Sequence, residues 1–288
     1  MLFRSDPFAA NLATPSRATL SRATSGPDAA TVALGARAAK IRPMAFTDVE
    51  IERYARHLVL REVGGPGQQK LKAARVLIVG TGGLGSPAAL YLAAAGVGTM
   101  ILADPDDVDL SNLQRQVVYT EDDIGRPKAE AAADRLAALN PHIFIAGHKG
   151  AFGADNADEL VDGVDIVLDG TDDFRVRYEV NAACVRHGKP LVSGAIGRWT
   201  GQVGVFGGRP CYRCLVPEIP PDAETCVAVG VVGALAGVVG SMMALEALKL
   251  IVGAGEPLTG RLLIYDALSA ETRTVRVGAD PDCPVCGG

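Results

Sequence analysis

Short apolar runs alternate along this chain with segments whose apolar positions recur every three or four residues. The apolar runs predict strands at 75–79, 99–103, 142–146, 165–168 and 191–193. The amphipathic segments predict helices at 84–95, 127–139 and 174–187. Strands and helices that alternate at this spacing predict a Rossmann-like α/β fold, in which a mostly parallel sheet carries helices on both faces.

The two ends of this pattern differ from its middle. Thr47 and Glu50 form a capping box that opens a helix to about Leu60, and the glycines from Gly64 onward are predicted to end it. In the C-terminal half, the segments 202–206, 261–265 and 272–277 are predicted antiparallel additions to the sheet.

The stretch 226–245 carries no charge and is long enough to span a bilayer. Four glycines lower its hydrophobicity, and the helical pattern continues past it through Glu246 and Lys249. We favour a helix buried on all sides inside an α/β domain, with a membrane span as the alternative. No membrane partner is expected.

Residues 1–43 contain six basic and two acidic residues, with much Ala, Ser and Thr and no continuous apolar core of a secretory signal. A transit peptide and a mis-assigned start before Met44 both explain this composition. We predict that 1–43 is a disordered or mis-assigned extension and that 44–288 is the folded domain.

Composition narrows the class of protein. The 288 residues are 48% hydrophobic and 21% charged, which excludes wholesale disorder and fibrous repeats. The net charge is −5 and basic residues form no block, which argues against nucleic acid as the main partner. Six cysteines are too few for a disulfide scaffold.

A glycine loop is the first sign of chemistry. Gly80-Thr-Gly82-Gly83-Leu-Gly85 follows a predicted strand and precedes a predicted helix, the context in which this pattern binds nucleotides. The helix N-terminus favours phosphate. Asp104, at the end of the next strand, is placed to accept hydrogen bonds from ribose. The pattern alone leaves NAD, FAD and other nucleotides open.

Two CxxC motifs are the second sign. Cys211 and Cys214 form one pair, and Cys283 and Cys286 form the other. Two such pairs complete a closed tetrahedral site, so we predict a structural zinc ion that ties the C-terminal tail to the body. A redox pair or disulfides are the alternatives.

Charged residues near the predicted sheet edge argue against a dehydrogenase. Arg115 and Lys128 add cations, and Asp172 and Asp173 form an acidic pair able to hold Mg²⁺. This set suits a triphosphate whose charge must be neutralised. Ordinary surface charge is the alternative for any one of these residues.

Taken together, these motifs resemble those of the HesA/MoeB/ThiF family of ubiquitin-activating-like adenylyltransferases. The similarity runs from about Phe46 to Gly288. The motifs that carry it are Arg53-Tyr-Ala-Arg56, Gly80-x-Gly-Gly-x-Gly85, Ser111-Asn-Leu-Gln-Arg-Gln116, Gly125-x-Pro-Lys128, Asp169-x-Thr-Asp172 and the two CxxC pairs.

The resemblance implies a cytoplasmic, homodimeric nucleotidyltransferase that uses ATP, Mg²⁺ and structural Zn²⁺. Its reaction would adenylylate the C-terminal glycine of a small ubiquitin-like sulfur-carrier protein with a Gly-Gly end, in molybdenum cofactor biosynthesis. By similarity, Arg115 and Lys128 clamp the phosphates, Asp172 holds Mg²⁺, and Arg56 reaches the γ-phosphate across the dimer interface. The nucleotide contacts it implies are Gly82, Gly83, Asp104, Ser111, Asn112, Leu113, Gln114, Arg115, Lys128, Asp172 and Asp173.

Two positions differ from the family pattern or leave it open. Asp173 stands where relatives of the molybdenum-cofactor type usually carry Asn, which adds charge beside the predicted Mg²⁺ ligand. Cys226 matches a cysteine that some relatives link covalently to their carrier, and we expect it to be dispensable.

The alternative functions for the whole chain are adenylylation of the thiamine-pathway carrier and a non-enzymatic or NAD-binding Rossmann protein.

Overall fold

The computed structural model describes residues 45–220 and 230–287. Its helices are α1 (Asp48–Arg53), α2 (Ala55–Leu58), α3 (Gly64–Ala73), α4 (Gly85–Ala95), α5 (Lys128–Leu139), α6 (Ala157–Asp162), α7 (Phe174–His187), α8 (Tyr212–Leu215) and α9 (Gly233–Val252). Its strands are β1 (Arg75–Val79), β2 (Thr99–Ala103), β3 (Phe144–His148), β4 (Ile166–Asp169), β5 (Leu191–Ile196), β6 (Thr200–Phe206), β7 (Arg261–Asp266) and β8 (Glu271–Arg276). The predicted extension 1–43 and Cys226 lie outside the described residues.

The strands form a sheet in the order β3-β2-β1-β4-β5-β6-β7-β8. The pairs among β1 to β5 are parallel, and those from β5 to β8 are antiparallel. The predicted fold class, a mostly parallel sheet with antiparallel C-terminal additions, is therefore confirmed.

Helices cover both faces of the sheet, which explains why the central strands are continuously apolar. In β1, Val76 and Ile78 pack into the core beneath α3, α4, α5 and α9, whereas Leu77 and Val79 pack into the core beneath α6, α7 and α8. The core beneath α6, α7 and α8 also contains the buried thiol of Cys184.

Three local predictions need correction. The first helix breaks at Tyr54 into α1 and α2. Gly64 begins α3 instead of ending a helix: its φ of 55° makes the turn, and Pro66 is tolerated in the first turn of the helix. Helix α6 follows β3 where the sequence pattern suggested none.

Helix α9 is buried on one side only, so the prediction of burial on all sides is wrong. Its Leu235, Val239 and Met243 are buried, whereas Val238 and Leu245 are 40% and 59% exposed. The helix lies as an outer layer over the sheet, and an outer layer has one covered side. By length and composition it could cross a membrane, but half of its most apolar window is buried against the protein.

Candidate functional site

A cavity of about 790 Å³ opens at the carboxyl ends of the parallel strands. The strand order reverses between β1 and β4, so the chain leaves these strands toward opposite faces of the sheet and leaves a crevice between them. Seven of the residues predicted for the nucleotide site line this cavity: Gly82, Gly83, Asp104, Arg115, Lys128, Asp172 and Asp173.

The glycine loop between β1 and α4 forms one wall. Gly80 has a φ of 84°, and a Cβ on Gly85 would lie 1.8 Å from the Gly80 carbonyl oxygen, so the turn requires glycine at both positions. Gly82 and Gly83 have ordinary space around them, because their Cβ positions lie 3.5 Å and 3.4 Å from the nearest side chains. No side chain caps α4, so its N-terminus can receive an anion.

We expect Gly85→Ala to lower the melting temperature sharply and to abolish nucleotide binding, because the added methyl group would overlap a backbone oxygen. Gly153→Ala is the matched control, since a Cβ there meets no atom within 4 Å. Thermal denaturation with and without ATP measures both effects. A Gly85→Ala protein as stable as the control would show that the loop is not as tight as described.

Asp104 fixes the glycine loop to the end of β2. Its Oδ2 accepts hydrogen bonds from Thr81 N (2.7 Å) and Thr81 Oγ1 (3.0 Å), and its Oδ1 accepts one from Asp106 N (3.0 Å). The carboxylate is buried in the cavity wall. Its predicted contact with ribose stays a prediction, but its hold on the loop is a role that the sequence pattern did not reveal.

Lys128 brings a positive charge into the cavity wall from the first residue of α5. Its side chain is only 7% exposed, and Nζ lies 2.8 Å from Asp106 Oδ2. The Asp106 side chain is 63% exposed and also lines the cavity. Asp106 was not assigned a role from the sequence, although it lies in an acidic segment directly after β2. The pair keeps the ammonium group oriented at the cavity surface.

Arg115 lies on the same side of the cavity, after a single 3-10 turn at Leu110–Asn112. Its Nη1 donates to the Ser111 carbonyl oxygen at 3.1 Å. The preceding residues Ser111, Asn112, Leu113 and Gln114 do not line the cavity. Their predicted contacts with nucleotide remain predictions.

The loop after β4 supplies the acidic side. Asp172 is exposed and lines the cavity, as a magnesium ligand would have to. Asp173 caps α7, because its Oδ1 accepts a hydrogen bond from Arg175 N at 2.7 Å. Asn makes the same cap. The departure from the family pattern at this position therefore leaves the turn unchanged.

Arg177 is a site residue that sequence reasoning missed. It is buried in the cavity wall, where Nη2 donates to the carbonyl oxygens of Gly194 (2.8 Å) and Thr171, and its Nη1 lies 3.7 Å from the buried Asp169 carboxylate. A signal existed in the sequence, since a cation on a helix face that otherwise carries Val180 and Cys184 needs a buried partner.

Arg56 does not line the cavity of its own chain. It is exposed on α2 and makes no ion pair with the other described residues. Neither Glu50 nor Glu52 on the neighbouring α1 forms an ion pair with it. Glu50 pairs with Lys72 instead, at 2.7 Å. The predicted contact of Arg56 with the γ-phosphate stays a prediction.

The four cysteines of the two CxxC motifs come together beside Asn181 of α7. All four sulfur atoms lie within 4.8 Å of one another, with Cys211 and Cys283 3.7 Å apart and Cys214 and Cys286 3.4 Å apart. Tetrahedral zinc with four thiolates places its sulfur atoms roughly 3.8 Å apart. The donor set and the spacing therefore fit a closed site for one zinc ion.

The thiols of this cluster lie close enough to share protons, and their pKa values shift in opposite directions. Burial raises the pKa of Cys211 and raises that of Cys286 to about 12. Burial raises the pKa of Cys283, but the backbone N–H groups of Cys286 and Val285 outweigh it and lower the pKa to about 7. Asp280 N donates to Cys214 Sγ and Asn181 Nδ2 donates to Cys211 Sγ, each at 3.5 Å. Such outer contacts orient the ligands of metal sites.

Comparisons with known proteins agree with this geometry. The ThiF family profile matches residues 54–285. The sulfur carrier protein adenylyltransferase of Thermus thermophilus is 48% identical over 253 residues, covering 85% of this chain and 93% of that protein. The molybdopterin-synthase adenylyltransferase of Escherichia coli is 45% identical over 245 residues, covering 84% of this chain and 98% of that protein.

A solved structure supports the same assignment. The crystal structure of E. coli MccB with ATP superposes with a TM-score of 0.72 and 26% identity, covering 82% of this chain and 75% of that chain. The family resemblance inferred from the motifs is thereby confirmed. The matched range spans most of the chain and contains the glycine loop, Lys128, Asp172 and three of the four clustered cysteines: the chain belongs to the ThiF family.

Proposed function

We propose that this protein adenylylates the C-terminal glycine of a small ubiquitin-like sulfur-carrier protein, with release of pyrophosphate, in molybdenum cofactor biosynthesis. The observation that carries the proposal is a nucleotide-sized cavity in which the glycine loop, two cations and a free carboxylate meet. Its support from relatives is that proteins sharing nearly their whole length with this chain are named adenylyltransferases of sulfur carriers or of molybdopterin synthase.

The chemistry matches the residues in the cavity. A C-terminal carboxylate is ionised at pH 7, so its attack on the α-phosphate of ATP needs no general base. What the step requires is alignment of the tail and stabilisation of charge on the phosphates. Lys128 and Arg115 would bind the phosphate oxygens, and the N-terminus of α4 would add its dipole. Asp172 would hold Mg²⁺, which neutralises phosphate charge when bound.

The four-cysteine cluster has a different role in this proposal. Four protein ligands leave zinc no open position for substrate, so the ion would be structural. A reducing compartment such as the cytoplasm would keep the four thiols available for the metal.

Carrier-dependent exchange of labelled pyrophosphate into ATP tests the proposed reaction. We expect exchange with the organism's molybdopterin-pathway carrier that ends in Gly-Gly, and none when the terminal glycine is removed. The thiamine-pathway carrier is the comparison: exchange with that carrier alone would assign the chain to the alternative pathway. Exchange with neither carrier, in folded and zinc-loaded protein, would refute the enzymatic proposal.

Two features support a homodimer. Arg56 is exposed and does not line the cavity of its own chain. A hollow of about 780 Å³ between α4 and α9 is walled mainly by apolar side chains, among them Tyr91 and Val238, which are 58% and 40% exposed. An exposed apolar face of this kind is typical of a protein–protein interface. In the dimer, Arg56 of each chain would serve the nucleotide site of the other.

Complementation between two inactive variants tests this arrangement. Arg56→Ala and Lys128→Ala should each be inactive, but co-expression should restore exchange to about a quarter of the wild-type rate, since half of the dimers are then mixed and each has one intact site. Arg53→Ala, three residues earlier on α1, is the control, because Arg53 instead donates to the Leu139 carbonyl oxygen. An inactive mixture of correctly dimeric protein would show that Arg56 does not act across the interface.

A further inference from the structure

Helix α7 carries two buried polar side chains on a face that is otherwise apolar. Arg177 and Asn181 are four residues apart, so they lie one turn apart on the same side of the helix. They are 4% and 1% exposed. Burial of a cation and an amide costs free energy unless both are fully engaged, so this pair indicates a specific task.

Arg177 stabilises the wall of the nucleotide cavity. Its guanidinium donates to two carbonyl oxygens. One belongs to Thr171, the residue before Asp172, and the other to Gly194 in β5. Asp169, which faces Arg177 at 3.7 Å, accepts from Thr171 N (3.0 Å) and Thr171 Oγ1 (2.8 Å). Arg177 and Asp169 thus fix the loop that presents Asp172.

Asn181 contacts the cysteine cluster. Its Nδ2 donates to Cys211 Sγ at 3.5 Å, and its Oδ1 accepts from Tyr212 N at 2.8 Å. Tyr212 links Asn181 to Arg177, because its ring centroid lies 5.9 Å from the Arg177 guanidinium carbon, within cation–π range. Tyr212 also lines the nucleotide cavity. Tyr212, which lies within the first CxxC motif, therefore contacts Arg177, the side chain that fixes the loop carrying Asp172.

We infer that Arg177, Asn181 and Tyr212 couple the cysteine cluster to the nucleotide site, so that metal binding at the cluster tightens ATP binding. Arg177 is in this sense a positioning residue. The inference rests on the proposed nucleotide binding but not on the identity of the carrier. Coupling between two sites is reciprocal, so ATP should equally tighten the hold on the metal.

Zinc release from the loaded, folded protein tests the coupling without any measurement of catalysis. A colorimetric chelator should remove zinc at least 5-fold more slowly when a non-hydrolysable ATP analogue and Mg²⁺ are present, which is the lower end of typical couplings. In Asn181→Ala and Tyr212→Leu the analogue should no longer slow release. Arg213→Gln is the matched control, because Arg213 lies within the same motif but stacks on Tyr178, 3.9 Å from the ring centroid. Arg213→Gln should keep the wild-type protection.

Calorimetric titration of the analogue into each zinc-loaded variant supplies the second measurement. Arg177→Lys keeps the charge but loses the paired contacts, so it should weaken nucleotide binding several-fold while zinc content stays at wild-type level. The inference is overturned if the wild-type protein binds the analogue but zinc leaves equally fast with and without it. It is also overturned if Asn181→Ala and Tyr212→Leu keep full protection. Loss of carrier-dependent exchange would bear on the proposed function and leave these binding measurements unaffected.

Discussion

Replacement of Lys128 by Ala is expected to lower carrier-dependent pyrophosphate exchange by about 10² to 10³-fold, the usual cost of removing one group that stabilises developing charge. The melting temperature should hardly change. The ammonium group is paired with Asp106, whose side chain is 63% exposed, so the variant leaves behind a carboxylate that water can solvate. Exchange of labelled pyrophosphate and thermal denaturation measure the two effects.

Lys149→Ala is the control for this experiment. Lys149 also pairs with an aspartate, Asp107, at 2.9 Å, but outside the cavity. It should keep wild-type exchange. If Lys128→Ala kept its activity, the phosphates would have to bind elsewhere. If it unfolded, Lys128 would belong to the scaffold.

Replacement of Cys283 by Ser should remove the metal and destabilise the protein by at least about 3 kcal/mol, because structural zinc contributes directly to folding. For a domain of this size that loss lowers the melting temperature by about 6–12 °C. Metal analysis of the wild-type protein should find about one zinc per chain, and the variant should contain none.

Cys184→Ala is the matched control, since Cys184 is a buried core thiol away from the cluster. It should keep its zinc and lose only the stability expected for a small core truncation. Iron in freshly purified protein, or a Cys283→Ser variant that retains zinc and stability, would contradict the zinc assignment.

Local signals predicted most of the sheet. Strands such as β1 are apolar on both faces, and the turn at Gly80 needs glycine for reasons that involve only its near neighbours. Each CxxC motif is likewise recognisable as a metal-binding pattern from four consecutive residues, and the structure brings the two motifs together. Features of this kind can be inferred from one sequence because few other structures satisfy them.

The features that escaped prediction depend on tertiary packing. One-sided burial of α9 follows from its place as an outer layer, which its even apolar composition does not encode. The roles of Asp104 and Arg177 depend on partners in other elements, at Thr81 in the glycine loop and Gly194 in β5. The proposed role of Arg56 came only from the family resemblance, because no pattern within one chain reveals a contact between two copies.

The strand order also governs when the site can come into being during synthesis. β1 and its glycine loop emerge early, but their neighbour on one side is β4, which follows two further strands in the chain. A nascent chain that ends before residue 166 has the glycine loop, Arg115 and Lys128, yet lacks the opposite wall with Asp172 and Arg177. Such a chain has groups that attract phosphate but does not enclose a nucleotide. Bound nucleotide would therefore stabilise the assembled sheet and would not nucleate its folding.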